Sequence, residues 1–427
     1  MKCDICTATG YIENEIFTEV KQRAVHQDMS EEIQRLQLLQ RCRKRAADEP
    51  THSLRRIFDT ETQSSGSAAA GAAKSFAFAD VESSMYKRRR LQLPILPTDA
   101  NDVVARITGT RFEMCAGQRF FSGTVNTSDG GTACIFASTS QLDLLSDSSA
   151  VHFDATYKTV PRPFYQLFTI FVSRQQYLFP VCFMLMTRKT KDLYMESFNK
   201  LRSLVPDFAP VNIMADFEDA SMLAFKDVYG QHVEADGCWF HFAQAVVRKA
   251  KKIGLSSAFT DDAEASKCIR CVTCLPLLPP DDIDSALTDL ETFLSVSSDS
   301  NQPLLQRLLE YVRRSWLLKA SIGPTRLSVS GRIQRTNNGV ESFHNSFGRL
   351  VKVSHPSFYA FLEYLQEATQ SDMADVQRLN RGRQIRRPKK KGNLMNDKRI
   401  SYAVHDIQVA VAQQQSFCVL LATVVIK

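Results

Sequence analysis

The stretch VHFDATY, residues 151–157, decides how the chain folds. It has strand length, and alternation puts Val151, Phe153 and Ala155 on one face with His152, Asp154 and Thr156 on the other. Aspartate is depleted in strands, so an acid near the middle of this one needs a reason. Around it lie CIFAST, YQLFTIFVS, LFPVCFMLM and VNIMAD, all rich in β-branched and aromatic residues. Short links join the middle three strands, which predicts an antiparallel meander. TKDLYMESFNKLRSLV reads as a helix long enough for a crossover to a parallel strand. FEDASMLAFKDVYG reads as another helix, and GCWFHFAQAVVRKAKKIGL passes from a strand end into a helix.

Three antiparallel strands, helix, strand, helix, strand, helix is the order of an RNase H-like core. The predicted class is therefore α/β: an RNase H-like mixed sheet flanked by helices, with an all-α insertion at about 255–325 before the last catalytic helix. Asp216 ends the strand VNIMAD, where an open α/β sheet presents ligand groups at its carboxyl edge. In such a sheet the first and fourth strands are neighbours, so Asp154 and Asp216 are expected to meet. The third acid is Glu341, in RTNNGVESFHN at residues 335–345. Asn338 and Glu341 fit a capping box, and Val340, Phe343, Phe347, Leu350 and Val351 form an apolar helical stripe. Glu341 reads either as that cap or as the last member of a carboxylate set. Three hard oxygen donors of this kind hold two Mg²⁺ or Mn²⁺ ions, about 3.5–4 Å apart, around a scissile phosphate. The rival reading is three unrelated acids among the 46 in the chain.

The chain has 427 residues and is 44% hydrophobic, enough for a sizeable core in two or three domains or one domain with an insertion. Its net charge is only +7, so distribution matters more than the sum. RLNRGRQIRRPKKKG, residues 378–392, holds eight basic residues and no acid, which suits a phosphate backbone, a nuclear import receptor or a solvated tail. The 11 cysteines come without a recognisable signal peptide, which predicts reduced thiols in a cytosolic or nuclear protein. FCVLLATVVI, residues 417–426, is too short for a membrane span, and no membrane contact is expected. Cys268, Cys271 and Cys274 mimic a metal motif, but no fourth ligand is suitably spaced and Pro276 follows, so reduced cysteines on a helix are expected.

Helices dominate the reading before about residue 110, with SSGSAAAGAA at 64–73 as a linker. Arg248, Lys249, Lys251 and Lys252 cluster on the helix after His241, and Arg332 and Arg335 precede the Glu341 helix. They read as phosphate contacts along a DNA path, as do Arg386, Arg387, Lys389, Lys390 and Lys391, or else as solvated faces. Trp316 in RRSWLLK is either a core residue or a platform for an unpaired base.

Taken together, FDATYKT, NIMADFEDA, GCWFHFAQAV, TNNGVESFHNSF and HPSFYAFLEYLQ resemble the transposase domain of Mutator-like elements over residues 124–370. The C-x-x-H pair Cys238 and His241 is similar to a signature of that family and of the hAT transposases. The resemblance implies catalytic and metal-binding roles for Asp154, Asp216 and Glu341, supported by Cys238 and His241. Residues 371–427 would be a basic tail. Cys6, a 19-residue spacer, His26 and Asp28 look like the end of a FLYWCH-type zinc finger, with Asp28 in place of a histidine and the aromatic first half absent. Residues 1–28 then read as a truncated or degenerate finger, with Cys3, Cys6, His26 and Asp28 as a candidate zinc set. Residues 29–123 read as a mainly helical region. The implied function is a nuclear DDE transposase that cuts and joins double-stranded DNA at terminal inverted repeats and target sites, with a homo-oligomer among the expected partners. The alternative is a catalytically silent nuclear DNA-binding or regulatory protein that keeps the fold.

Overall fold

The apolar runs in the middle of the chain pair into a seven-stranded mixed sheet, compatible with an RNase H-like fold. A computed structural model describes residues 10–13, 16–19, 30–50, 52–64, 77–257, 263–296, 300–332, 335 and 338–385, with positions 395, 398 and 402. These fall into two compact units, divided between Ile95 and Leu96.

In the first unit, strands β1 (Gly10–Glu13) and β2 (Ile16–Glu19) pair antiparallel. This hairpin falls within residues 1–28, read above as a finger remnant, where Tyr11, Ile12, Ile16 and Phe17 favour extended backbone. Helices α1 (Ser30–Asp48), α2 (Leu54–Ser64) and α3 (Phe78–Leu91) follow. They share a small core of Leu38, Cys42, Ala46, Ile57, Phe58, Val81 and Met85. Cys3, Cys6, His26 and Asp28 lie outside the described residues, as do most of the 64–73 linker, Arg386, Arg387, Lys389, Lys390, Lys391 and the apolar end at 417–426.

The second unit opens with α4 (Val103–Ile107), the short pair β3 (Met114–Cys115) and β4 (Gln118–Arg119), then β5 (Phe121–Asn126), β6 (Thr132–Phe136) and α5 (Thr139–Ser146). The meander is β7 (Ala150–Thr156), β8 (Gln166–Arg174) and β9 (Tyr177–Met186). Helix α6 (Lys191–Leu204) crosses to β10 (Asn212–Ala215), and α7 (Asp219–Tyr229) crosses to β11 (Glu234–Gly237). The order across the sheet is β11-β10-β7-β8-β9-β6-β5. β11, β10 and β7 run parallel; the other neighbours are antiparallel. Residues 96–123, assigned above to the N-terminal region, belong with this unit because β5 is the edge strand paired to β6.

One face of the sheet carries Val151, Phe153, Phe168, Ile213 and Ala215 into the main core, against Leu193, Tyr194 and Phe198 of α6 and Phe225 of α7. Phe153 packs edge-on to Phe225 and stacks with Phe198, which explains an aromatic at that strand position. The opposite face receives α13 (Asn338–Val351), whose Val340 packs with Phe171 and Leu178 while Phe343 meets Phe171 and Phe183. Gly339 lets that helix approach: a Cβ there would stand 2.9 Å from Leu178 Cδ1. Helix α14 (Phe358–Asn380) sends Val376 and Leu379 into the main core, so a tail beginning at residue 371 would cut a packed helix.

Between β11 and α13 stand α8 (Trp239–Lys252), α9 (Ala263–Cys274), α10 (Pro280–Ser295), α11 (Gln302–Val312), a π-helical turn at Arg313–Leu317 and α12 (Gly323–Leu327). They enclose a second apolar core. Trp316 is 8% exposed and meets Phe217 and Phe242 edge-on, so it is a core residue rather than a base platform. Cys268 and Cys271 are buried in the same core, with Cys274 half-buried, and none of the three is in a disulfide.

Gly237 ends β11 against the ring of Phe217, where a Cβ would lie 2.2 and 2.4 Å from ring carbons and 3.0 Å from the Arg326 carbonyl oxygen. Gly237→Ala is therefore expected to lower unfolding free energy by about 1–3 kcal/mol through overpacking. Urea denaturation measures this; a variant as stable as the parent would show that the Phe217 ring yields freely.

Candidate active site

Strand pairing brings the first two acids together. In the parallel ladder Asn212 pairs with Ala150, Ile213 with Val151 and Met214 with His152. The ladder stops there and β10 ends at Ala215, so Asp216 leaves the strand just beyond the part of β7 that carries Asp154. Ile213 and Ala215 face the main core, so alternation turns Asp216 to the other face, the one Asp154 occupies. That face is covered by α13, which carries Glu341 in its first turn.

The electrostatics show how closely the groups approach. Burial raises the Glu341 carboxyl above its ordinary range; Asp154 raises it further, while His241 and His344 pull it back. His241 is pushed up to about 9, first by its hydrogen bond to Cys238 and then, against burial, by the charges of Cys238, Asp154 and Asp216. Glu341 thus feels His241 and Asp154, and His241 feels both aspartates. His241 therefore links the two aspartates to Glu341 electrostatically.

Local structure fixes these groups. Cys238 is buried at the start of α8, and its N–H donates to the Ala215 carbonyl at 2.9 Å, tying that helix to the strand end that precedes Asp216. The Trp239 N–H donates to the Arg335 carbonyl at 3.2 Å, bringing the approach to α13 beside α8. Asp216 Oδ1 accepts the Glu218 N–H at 2.9 Å and so turns the chain sharply after β10. Glu218 is raised by burial and then by Asp216, with Lys189 opposing. For Asp219, burial pushes the carboxyl up, but hydrogen bonds from Ser321, Arg326 and Lys319 outweigh it and hold it below the usual range.

Three participants escaped the sequence reading. His344 lies one helical turn after Glu341, and its Nε2 is 3.2 Å from Asp154 Oδ2. The E-x-x-H spacing on one helix flank was the available signal. Tyr157, the last residue of the opening stretch, has its phenol pushed up to about 12 by burial and by Glu218, Asp216, Tyr165 and Asp154, so it stays neutral beside the acids. Arg326 donates to Asp219 and to the Asp216 carbonyl from 110 residues away in sequence, and no motif announces it.

The basic residues divide. Arg248, Lys251 and Lys252 are exposed on α8, and Arg335 is half-buried. Lys249 lies over the Tyr311 ring at 5.0 Å. Arg332 is taken up by Glu234 at 2.5 Å and Asp236 at 2.8 Å on β11, which corrects its reading as a free phosphate contact. Beside Glu341 an open cleft of about 540 Å³ is lined by Ser342, Asn345 and Arg349 of α13. The Asn338 side chain lies outside the described residues, so the capping box does too.

Asp154, Asp216 and Glu341 offer hard oxygen donors, and the Glu341 carboxyl is raised chiefly by burial, with a smaller push from Asp154. This donor set fits a divalent cation. Among the described residues no three of His, Cys, Asp and Glu are gathered tightly enough to enclose one, so the acids converge without closing.

Two pH experiments probe this field. Glu341 has a raised folded-state value, so the stability tied to its protonated form is fully present below the ordinary value and lost as pH rises through the raised one. Glu341→Gln in chelator is therefore expected to melt higher than the parent at pH 7, with the gap closing as pH falls to about 4.3. A variant that melts lower at pH 7 contradicts the shared field. By the same rule, the raised His241 contributes stability below its unfolded value, about 6.5, that is lost as pH rises through about 9. In an NMR titration His241 should titrate near 9, and lower in Asp216→Asn; an unmoved titration would detach it from the acids.

No curated protein sequence matches the chain closely enough to count as a relative. Residues 150–245 match the family model described as the MULE transposase domain, a span that holds Asp154, Asp216, Cys238 and His241, ends before Glu341, and marks this part of the chain as transposase-related.

Proposed function

We propose that this chain is a DDE transposase of the Mutator-like class, or a protein derived from one, that cleaves DNA at transposon ends and transfers the freed strand to a target. The observation that carries the reading is that Asp154 and Asp216, from adjacent parallel strands, both act on His241, while Asp154 and His241 act on Glu341 from across the sheet. The matched transposase domain supplies the reaction class.

When bound, Mg²⁺ or Mn²⁺ supplies Lewis-acid activation of a water or 3′-hydroxyl and relief of charge at the phosphate. Asp154, Asp216 and Glu341 would hold it. His241 offsets part of the repulsion among the acids while they stand open. Exposed Arg248, Lys251 and Lys252 on α8, and Arg349 in the cleft beside Glu341, suit the phosphates of a DNA duplex and would position it without reading its sequence. Nuclear localisation, import through the basic run at 378–392, self-association and zinc binding by Cys3, Cys6, His26 and Asp28 belong to the same proposal and rest on the sequence alone.

One observation favours the catalytically silent alternative. Among the described residues the acids are not closed around a common point.

Nicking and strand transfer on DNA bearing the element's terminal repeats, in Mg²⁺ or Mn²⁺, separates the two readings. The proposal expects activity in the parent chain and a loss of roughly 10²-fold or more in Glu341→Gln and in Asp154→Asn, the scale of removing one group that stabilises transition-state charge. DNA binding without cleavage in the parent and both variants would establish the silent reading instead.

A further inference from the structure

The helical segment between β11 and α13 grips the turn that carries Asp216 at two points. Phe217 inserts its ring into the segment's apolar core, 4.7 Å from Trp316, in the space that Gly237 leaves open. Arg326, from α12, is 6% exposed and spreads its guanidinium over the same turn. Its Nη1 donates to Asp219 Oδ1 at 2.8 Å and to the Ser321 carbonyl at 2.9 Å. Its Nη2 donates to the Asp216 carbonyl at 3.0 Å and lies 3.5 Å from the Glu218 carbonyl. The guanidinium carbon stands 5.6 Å from the Phe217 ring centre. Lys319 and Ser321 add a second hold on Asp219, at 3.2 and 2.9 Å.

Apart from the Phe217 ring contacts and the bond to the Ser321 carbonyl, these contacts fall on the backbone or carboxylates of residues 216–219, and none reaches the Asp216 carboxylate itself. That carboxylate is oriented by the turn, because Asp216 Oδ1 accepts the Glu218 N–H at 2.9 Å. A planar fork that binds two acceptor directions at once can hold such a turn; an ammonium on a flexible stem keeps the charge but loses the fork.

We infer that Arg326 is a positioning residue: it fixes the Asp216–Asp219 turn so that the Asp216 carboxylate faces Asp154 and Glu341, which makes the helical segment a working part of the metal site. This rests on the proposed function, since it assumes that the three acids bind a divalent cation.

The test uses the full chain with Arg326→Lys, with Arg313→Lys as a control, and Mn²⁺ as the probe. Arg313 pairs with Glu291 and Asp284 inside the helical segment, so its replacement disturbs the segment away from the turn. Mn²⁺ binding is followed by electron paramagnetic resonance, and hydrogen exchange reports the Glu218 amide. Arg326→Lys is expected to unfold cooperatively, to bind Mn²⁺ about 10–100-fold more weakly, the usual effect of losing a group that orients a metal ligand, and to lose protection at Glu218. Arg313→Lys should change neither. Arg326→Lys with the parent's Mn²⁺ affinity overturns the inference, as does equal weakening in the control. A parent chain whose Mn²⁺ binding is absent or insensitive to Glu341→Gln defeats the proposed metal site instead. Exchange at Glu218 then decides Arg326 alone: protection lost only in Arg326→Lys supports the hold on the turn, and unchanged protection overturns it.

Discussion

Parallel pairing of β10 against β7 is the constraint from which the rest of the site follows. The register that sets Ile213 beside Val151 and Met214 beside His152 brings the end of β10, which Asp216 follows, alongside the strand that carries Asp154, and a slip of one residue would exchange the two faces of β10. Packing holds that register on both sides. Val151, Phe153, Ile213 and Ala215 share one apolar core with α6 and α7. On the other face Val340, Phe171 and Leu178 seat α13 so that its first turn brings Glu341 over the same strands. Apolar contacts of ordinary kind on the two faces thus hold β7, the end of β10 and the first turn of α13 in register with one another.

Bringing those acids together costs stability, and the fold meets that cost locally. Burial and Asp154 both disfavour the charge on Glu341, while His241 and His344 oppose them. His241 in turn takes its proton chiefly through Cys238, which explains why the C-x-x-H pair sits at the start of α8: one residue anchors the helix to the β10 end and the other faces the acids. Asp219 illustrates the contrast between structural and functional acids. It is fully occupied by Ser321, Lys319 and Arg326 and held below its usual range, whereas Glu218 and Glu341 are raised. The difference comes from hydrogen bonding: Asp219 has donors that outweigh burial, whereas burial dominates at Glu218 and Glu341.

Much of this was legible in the sequence, for physical reasons that differ from residue to residue. The core strands announced themselves because their β-branched and aromatic runs are long, and Asp154 stood out because a strand seldom carries an acid at its middle. Cys238 and His241 could be singled out because their spacing is local. The β1 and β2 hairpin escaped because four-residue strands carry too little periodicity to compete with the helices that follow. The fate of Arg332 was hidden because Glu234 and Asp236, which bind it, lie almost 100 residues earlier and become its neighbours only when β11 joins the sheet. Arg326 lies equally far from the turn it holds, and a lone arginine in PTRLS gives no sign of burial. Local pattern identifies the acids; the groups that orient them are fixed only by tertiary contact.

The most direct test of the central claim is anomalous diffraction from crystals of the full chain soaked in Mn²⁺. If Asp154, Asp216 and Glu341 form one metal centre, a Mn²⁺ peak should lie between the first two carboxylates on the side facing α13, and it should vanish in Glu341→Gln crystals. A peak only at other residues, or no peak at a concentration that saturates Mn²⁺ binding in solution, would contradict it and leave three converging acids without a metal to hold.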